Sequence, residues 1–115
     1  MKDIYIKINI NILKDKNLNA TDKIIYSIII NFSNLKGYCW ATNKDISLIS
    51  NFSQKTIQSS INKLVRLNYL YKIRKKYGLA TYRYLSPSPM LEVSDKINEK
   101  PQHENFDEYD WLSDV

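Results

Sequence analysis

Two short amphipathic segments separated by only three residues are the feature that most limits how this chain can fold. In the second segment Ile57, Ile61 and Leu64 repeat at spacings of four and three, and in the first segment two isoleucines lie three residues apart. These spacings indicate helices with one apolar face each. The intervening residues 51–53 predict a tight turn, because asparagine tolerates the left-handed conformation that ends a helix and serine caps the next one.

Two helices joined this tightly predict a helix-turn-helix, whose second helix turns its outer face toward a partner. That face carries only short polar or basic side chains: Ser53, Gln54, Lys55, Thr56, Gln58, Ser59, Asn62 and Lys63. Such side chains donate hydrogen bonds to phosphates and read base edges. The 45 residues of 46–90 contain no Asp or Glu, whereas a solvated face usually mixes both signs of charge. The pattern therefore favours nucleic acid, and a solvent-facing helix of a basic bundle is the alternative.

The segment 18–85 resembles the winged helix-turn-helix domains of low-GC Gram-positive bacteria, their plasmids and their phages, which occur in replication initiators, replisome organisers and related regulators. Three pieces carry the resemblance: Leu-x-x-x-Asp-Lys-x-x-Tyr at 18–26, Gly-Tyr-Cys-Trp-Ala-Thr-Asn at 37–43, and Ser-x-x-Thr-Ile-x-x-x-Ile-x-x-Leu at 53–64. The resemblance implies this fold and DNA binding, and it favours a replication-associated role only slightly over a transcriptional one.

The chain departs from the pattern of these domains at four positions. Ser47 stands where such units usually have Ala, and Asn51 and Asn68 stand where Gly is usual. Leu48 occupies a position that is usually polar, so we expect it to be a contact surface.

The residues before the two segments predict further elements. The alternation of Ile4, Ile6, Ile8 and Ile10 with polar residues predicts a half-buried N-terminal strand that pairs with the later hairpin or covers its edge. A turn or a single helical turn is expected in 11–17. A helix capped by Asn19 or Thr21 follows, with an apolar stripe that backs the helix-turn-helix; the isoleucine run leaves a buried strand as the alternative.

The connector 34–42 contains the aromatic and thiol side chains that could be mistaken for functional groups. Trp40 and Tyr38 are expected to fold over the core, and base stacking by Trp40 is the alternative. Cys39 has no adjacent His, so we predict that it packs.

A basic β-hairpin is predicted directly after the second helix. Residues 69–74 and 80–85 read as strands, and Gly78 permits the turn between them. A hairpin in this place is a wing, and its cations predict phosphate contact or minor-groove insertion: Lys72, Arg74, Lys75, Lys76 and Arg83. Asn43 and Lys44, at the start of the first helix, complete the predicted DNA-binding set. Lysines that protect an edge strand are the alternative.

We therefore predict a mainly α fold with a small β-sheet (α+β), a winged helix-turn-helix with an N-terminal strand and a C-terminal β-hairpin wing. The predicted domain is 1–85, with net charge +11, and 86–115 is a predicted disordered acidic tail with net charge −6. This asymmetry is typical of a nucleic-acid binder with a separate interaction segment. Aromatic side chains set among the tail's carboxylates predict a protein-binding motif: Phe106, Tyr109, Trp111 and Leu112. Docking of the tail on the chain's own basic face is the alternative.

The functional prediction is a sequence-specific double-stranded DNA-binding protein of a plasmid or phage, acting in replication or transcription. The alternative is a protein-binding adaptor or inhibitor that reuses the fold. A homodimer is left open. His103 stands alone and no Cys/His cluster or Gly-rich phosphate loop occurs, so we expect no enzyme, cofactor or metal.

The expected location of this protein is the cytoplasm. The single Cys39 excludes an internal disulfide and fits a reducing compartment. The apolar run 24–30 is far shorter than the ~20 residues of a membrane span.

Removing the tail should change DNA affinity if the tail masks the basic domain. A tether of about twenty residues reaches on the order of 25 Å, which gives an effective concentration near millimolar. Truncation after Leu85 should then tighten DNA binding several-fold at low salt, and the gain should shrink as salt screens the tail. Titrations of full-length and truncated chains at two salt concentrations measure this, and equal affinities at low salt would leave only the partner-binding role.

Overall fold

A computed structural model describes residues 5–89 of the chain. Four helices precede a hairpin: α1 (Ile10–Leu13), α2 (Ala20–Lys36), α3 (Asn43–Ser50), α4 (Gln54–Arg66), β1 (Tyr71–Tyr77) and β2 (Ala80–Ser86). This order confirms the predicted α+β class with a hairpin after the helix-turn-helix. The tail contacts predicted at Phe106, Tyr109, Trp111 and Leu112 lie outside the described residues. Within the described range, no helix is long and apolar enough to cross a membrane.

The predicted N-terminal strand is wrong over the part that the structure describes, because residues 5–9 form no strand. The segment runs beside α2 instead, where Asn31 Nδ2 donates to the Lys7 carbonyl oxygen at 3.4 Å. The free edge of β2 is taken by the connector: Cys39 and Leu85 exchange both backbone hydrogen bonds, at 2.6 and 2.9 Å. The N-terminal isoleucines therefore cannot pair with that edge. The alternation of apolar and polar residues alone could not reveal that the edge is occupied.

The first long helix, α2, begins at the predicted cap. Asn19 accepts a hydrogen bond from the Asp22 amide at 2.8 Å, and the Asp22 carboxylate accepts one from the Asn19 amide at 3.1 Å. This reciprocal pair is a capping box. The helix ends at Gly37 with φ of 84°, a conformation open to glycine. The isoleucine run is therefore helical rather than a strand, and its buried stripe comprises Ile25, Ile28, Ile29 and Phe32.

One apolar core holds α2, α3, α4 and the hairpin together. Fully buried side chains come from each of these elements: Ile25, Ile29, Phe32, Ile46, Ile57, Ile61, Leu64, Tyr84 and Leu85. Trp40 and Cys39 are buried with them. Burial raises the pKa of the Cys39 thiol to about 12, so it stays protonated near neutral pH. Both residues therefore pack, as predicted, and Trp40 is not a base-stacking platform.

The turn between α3 and α4 satisfies its own polar groups. Asn51 adopts the left-handed conformation, with φ of 64°, and Ser53 caps α4, as predicted. Ser47 Oγ donates to the Phe52 carbonyl oxygen at 2.6 Å, while Ser50 Oγ accepts from the Phe52 amide at 3.1 Å. Serine at position 47, the departure from Ala noted in the sequence, thus compensates a turn carbonyl that would otherwise need water.

The wing is a β-hairpin whose two strands are joined by a two-residue loop. β1 and β2 pair antiparallel from Tyr71 opposite Ser86 to Tyr77 opposite Ala80, and Gly78, with φ of 65°, opens the loop. The first strand starts two residues later than predicted. Asn68 is left-handed, and the next amide donates to the Leu64 carbonyl oxygen at 2.9 Å, so residues 68–70 close α4 before the strand begins.

A buried carboxylate fixes α4 against α2. Asp22 is 2% exposed. Its side chain accepts from Ser60 Oγ at 2.8 Å and from Lys63 Nζ at 2.7 Å. Burial by itself raises the pKa of Asp22, but the bonds from Lys63, Ser60 and the Asn19 amide outweigh it, so the pKa lies below its usual 3.8. The ionised form is therefore the one that stabilises the fold.

Removing this carboxylate should destabilise the domain. Asp22→Ala deletes charge-assisted hydrogen bonds, so we expect a loss of roughly 1.5–3 kcal/mol in the free energy of unfolding at pH 7. Since the folded pKa is lowered, the contribution is complete above the unfolded pKa of 3.8 and fades as pH falls through the folded value. Urea unfolding at pH 7 and near pH 3 measures the difference.

The matched control for this test is Asp45→Ala. Asp45 accepts from the Thr42 amide at 2.9 Å and so holds the same capping position in α3, but it is partly exposed. We expect a loss of about 1 kcal/mol or less. Equal losses in the two variants would show that Asp22 acts only as a helix cap.

Candidate nucleic-acid interface

The outer face of α4 is exposed where the sequence placed it. Its buried side is formed by Ile57, Ser60, Ile61 and Leu64. The opposite side carries six of the predicted residues in exposed positions: Ser53, Gln54, Lys55, Thr56, Ser59 and Asn62. The first turn of α4 contains no Asp or Glu, so the helix itself places no carboxylate against an anion at its N-terminus.

Lys63 does not share that outer face, although it was predicted with it. Its ammonium lies 2.7 Å from the Asp22 carboxylate, and its side chain is only partly exposed. The charge is therefore used to join α4 to α2. Sequence reasoning missed the roles of Asp22 and Ser60 in this contact, and no local spacing could have indicated them.

Arg83 is likewise turned inward from the wing. Nη1 donates to Asn43 Oδ1 at 2.6 Å, and Nη2 donates to the Ala41 carbonyl oxygen at 2.9 Å. Burial lowers the pKa of this guanidinium, and the nearby Arg74 charge lowers it further, yet arginine stays protonated in proteins. The side chain thus ties β2 to the start of α3.

Asn43 continues this contact toward α4. Its Nδ2 donates to Gln58 Oε1 at 2.7 Å, and Gln58 Nε2 donates to Asn62 Oδ1 at 2.8 Å. Three predicted DNA-binding residues are therefore hydrogen-bonded to one another and, through Arg83, to the wing. The spacing of four between Gln58 and Asn62 could have indicated their contact, but the other two contacts are far apart in sequence.

The basic residues of the wing lie on two faces. Lys72, Arg74 and Lys76 alternate along β1 and are exposed. Arg74 stands directly opposite Arg83. Lys72, Arg74 and Lys76 therefore share with Arg83 the face of the hairpin that contacts α3. Lys75 points to the other face, opposite Tyr82, and is half-buried. The period of two along a strand could have indicated from the sequence that Lys75 faces away from Lys72, Arg74 and Lys76.

The tyrosines of the wing pack against each other and against the connector. Tyr77 and Tyr82 meet edge to face with ring centroids 5.7 Å apart, and Tyr38 and Tyr84 meet in the same way at 5.4 Å. Tyr77, Tyr82 and Tyr84 therefore pack within the hairpin and against the connector. Leu79 at the tip is fully exposed, a feature that sequence reasoning missed.

The carboxylates of the described chain lie away from this surface or are already bonded. Residues 5–89 contain three, and none follows position 45. Asp15 accepts from the Tyr69 hydroxyl, Asp22 from Lys63, and Asp45 from the Thr42 amide. The surface formed by α4, Lys44 at the start of α3 and the exposed face of β1, hereafter the α4–wing surface, is therefore cationic and polar.

Comparisons with known proteins agree with this arrangement. Residues 16–70 match the family model of a helix-turn-helix domain. A solved structure described as "N-Terminal domain of DNA binding protein" is 18% identical, with a TM-score of 0.56 over 84% of this chain and 89% of that chain. Another, described as "Structure of Rep-DNA complex", is 18% identical, with a TM-score of 0.55 over 85% and 91%. A search of curated protein sequences gives no match.

The family match covers α2, α3 and α4, and the two solved structures share the fold at low identity. Both findings agree with the three-residue turn between α3 and α4 and with the hairpin that follows. Residues 16–70 thus contain a helix-turn-helix formed by α3 and α4, and with the β1–β2 wing they give this chain the winged helix-turn-helix fold.

Proposed function

We propose that this domain binds double-stranded DNA sequence-specifically, with the exposed face of α4 in the major groove and the wing on the backbone or in the minor groove. The observation that carries the proposal is the α4–wing surface, on which exposed amides and hydroxyls are flanked by cations without any carboxylate. Amides read base edges, while lysine and arginine neutralise phosphates. Both parts of a specific interface are therefore present on one side of the molecule.

A replication-associated role on a plasmid or phage is the finer form of this proposal. One solved structure of the same fold is described as a Rep–DNA complex. The sequence pieces at 18–26, 37–43 and 53–64 resemble those of replication initiators and replisome organisers. These observations support replication over transcriptional regulation.

A protein-binding adaptor or inhibitor is the second candidate, and Leu48 favours it. This side chain is 66% exposed on α3. Large exposed apolar side chains mark a protein contact when several of them lie together. Retention on a DNA resin at moderate salt separates the candidates, because an adaptor without DNA affinity would flow through.

DNA affinity should fall steeply with salt. Five of the predicted cations remain exposed on the α4–wing surface after Lys63, Lys75 and Arg83 are assigned elsewhere: Lys44, Lys55, Lys72, Arg74 and Lys76. Five neutralised phosphates give a log–log slope of affinity against salt of roughly −4 to −5. Titration of a duplex at several salt concentrations measures the slope, and a value near zero would exclude the nucleic-acid proposal.

Base reading and phosphate contact should separate by mutation. Gln54→Ala should cost roughly 1–3 kcal/mol on a preferred site and relax sequence choice. Replacing Arg74 and Lys76 with Ala should weaken all sequences alike and reduce the salt slope by about two. The charge-matched control replaces Lys14 and Lys16, which lie outside the α4–wing surface. A Gln54 variant with unchanged sequence preference would mean that α4 is not the reading element.

A further inference from the structure

A line of four side chains crosses from the wing to the outer face of α4. Arg83 donates to Asn43 at 2.6 Å, Asn43 to Gln58 at 2.7 Å and Gln58 to Asn62 at 2.8 Å. The line begins at a half-buried side chain and ends at an exposed one. Its last two members lie on the helix proposed to enter the major groove.

The direction of the hydrogen bonds in this line, hereafter the relay, is set by its inner end at Arg83. A guanidinium has only donors, so Asn43 must turn its oxygen toward Arg83. Its nitrogen then faces Gln58, which must in turn present its oxygen to Asn43 and its nitrogen to Asn62. Asn62 consequently turns its oxygen inward along the helix. One donor-only residue on the wing thus fixes how three amides are oriented.

The orientation limits what α4 can offer to a base. Asn or Gln reads adenine with its oxygen and nitrogen together, because adenine presents one donor and one acceptor. The oxygen of Asn62 is directed at Gln58, so the groups of the relay that face outward are the N–H donors of Asn62 Nδ2 and the second N–H of Gln58. Guanine, with O6 and N7 side by side, presents two acceptors and matches such donors best.

We propose that Arg83 is a positioning residue for sequence specificity. It polarises the Asn43–Gln58–Asn62 relay so that α4 presents donors and selects guanine over adenine at the base pairs these amides face. The inference deepens the proposed function and rests on it. A purely structural role for Arg83 is the competing account: its bond to the Ala41 carbonyl oxygen, at 2.9 Å, ties the wing to the connector without involving any amide. That account predicts altered stability with unaltered base choice.

The decisive variant is Asn43→Asp, which should reverse the relay. A carboxylate accepts from Arg83 and also from Gln58, so Gln58 turns its nitrogen inward and its oxygen toward Asn62. Asn62 then donates inward and presents its oxygen outward. The selected base should change from one that presents acceptors to one that presents a donor, namely the N6 amino group of adenine or the N4 amino group of cytosine. The added negative charge lowers affinity on every sequence, so the base ratio is the quantity compared.

Arg83→Met supplies a second variant that removes the constraint without reversing it. The amides become free to rotate, and the guanine-to-adenine ratio should fall by roughly 5- to 100-fold toward parity. Arg83→Lys keeps a donor-only end and should retain the preference. The matched control is Arg74→Met, which removes the same charge from the exposed residue directly opposite. It should weaken binding with unchanged base choice.

Binding-site selection on random duplex DNA, with the full chain and each variant, measures all of these ratios. Circular dichroism checks that each variant is folded. A wild-type chain that enriches no duplex would overturn the proposed function and this inference together. A wild-type chain that enriches a defined site, while Asn43→Asp and Arg83→Met select the same bases, would overturn the inference alone. The inference alone would also be overturned if the wild-type chain selected adenine at the base pairs that Gln58 and Asn62 face.

Discussion

The carboxylate of Asp22 is the interaction on which the arrangement of this domain most depends. It completes the cap of α2 through the Asn19 amide and reaches across to Ser60 and Lys63 of α4. A buried charge of this kind must be paired, since leaving it unpaired would cost several kcal/mol. The rotation of α4 about its axis is therefore restricted, because only one rotation brings both Ser60 and Lys63 to the carboxylate. The same rotation turns Gln54, Gln58 and Asn62 outward.

Arg83 performs the corresponding task on the other side of α4. It holds the start of α3 through Asn43 and the connector through the Ala41 carbonyl oxygen. Two of the cations in a strongly basic chain are thus used inside the molecule, one at each flank of α4. The exposed cations of the α4–wing surface are then left to an external anion.

Local features of the fold were predictable from the sequence. The caps at Asn19 and Ser53 and the left-handed Asn51 involve bonds that span four residues or fewer, so residue type and spacing determine them. The N-terminal strand was predicted wrongly over residues 5–9, since one edge of the hairpin on which its pairing could depend is occupied by Cys39. The internal contacts of Lys63 and Arg83 could not be predicted for a similar reason, because their partners lie 41 and 40 residues away.

The sequence by itself determined the helices, the three-residue turn, the hairpin and the uneven charge, because periodicity, capping and turn chemistry act between neighbours. Only the tertiary structure decided which of the polar residues remain available for a partner. The sequence shows Asn43, Gln58, Asn62, Lys63 and Arg83 as equivalent polar or basic side chains. Packing of α2 and the wing against α4 places Lys63 in an internal ion pair and joins the other four in a directed relay. Except for the Gln58–Asn62 bond within α4, these contacts need elements that only the common core brings together.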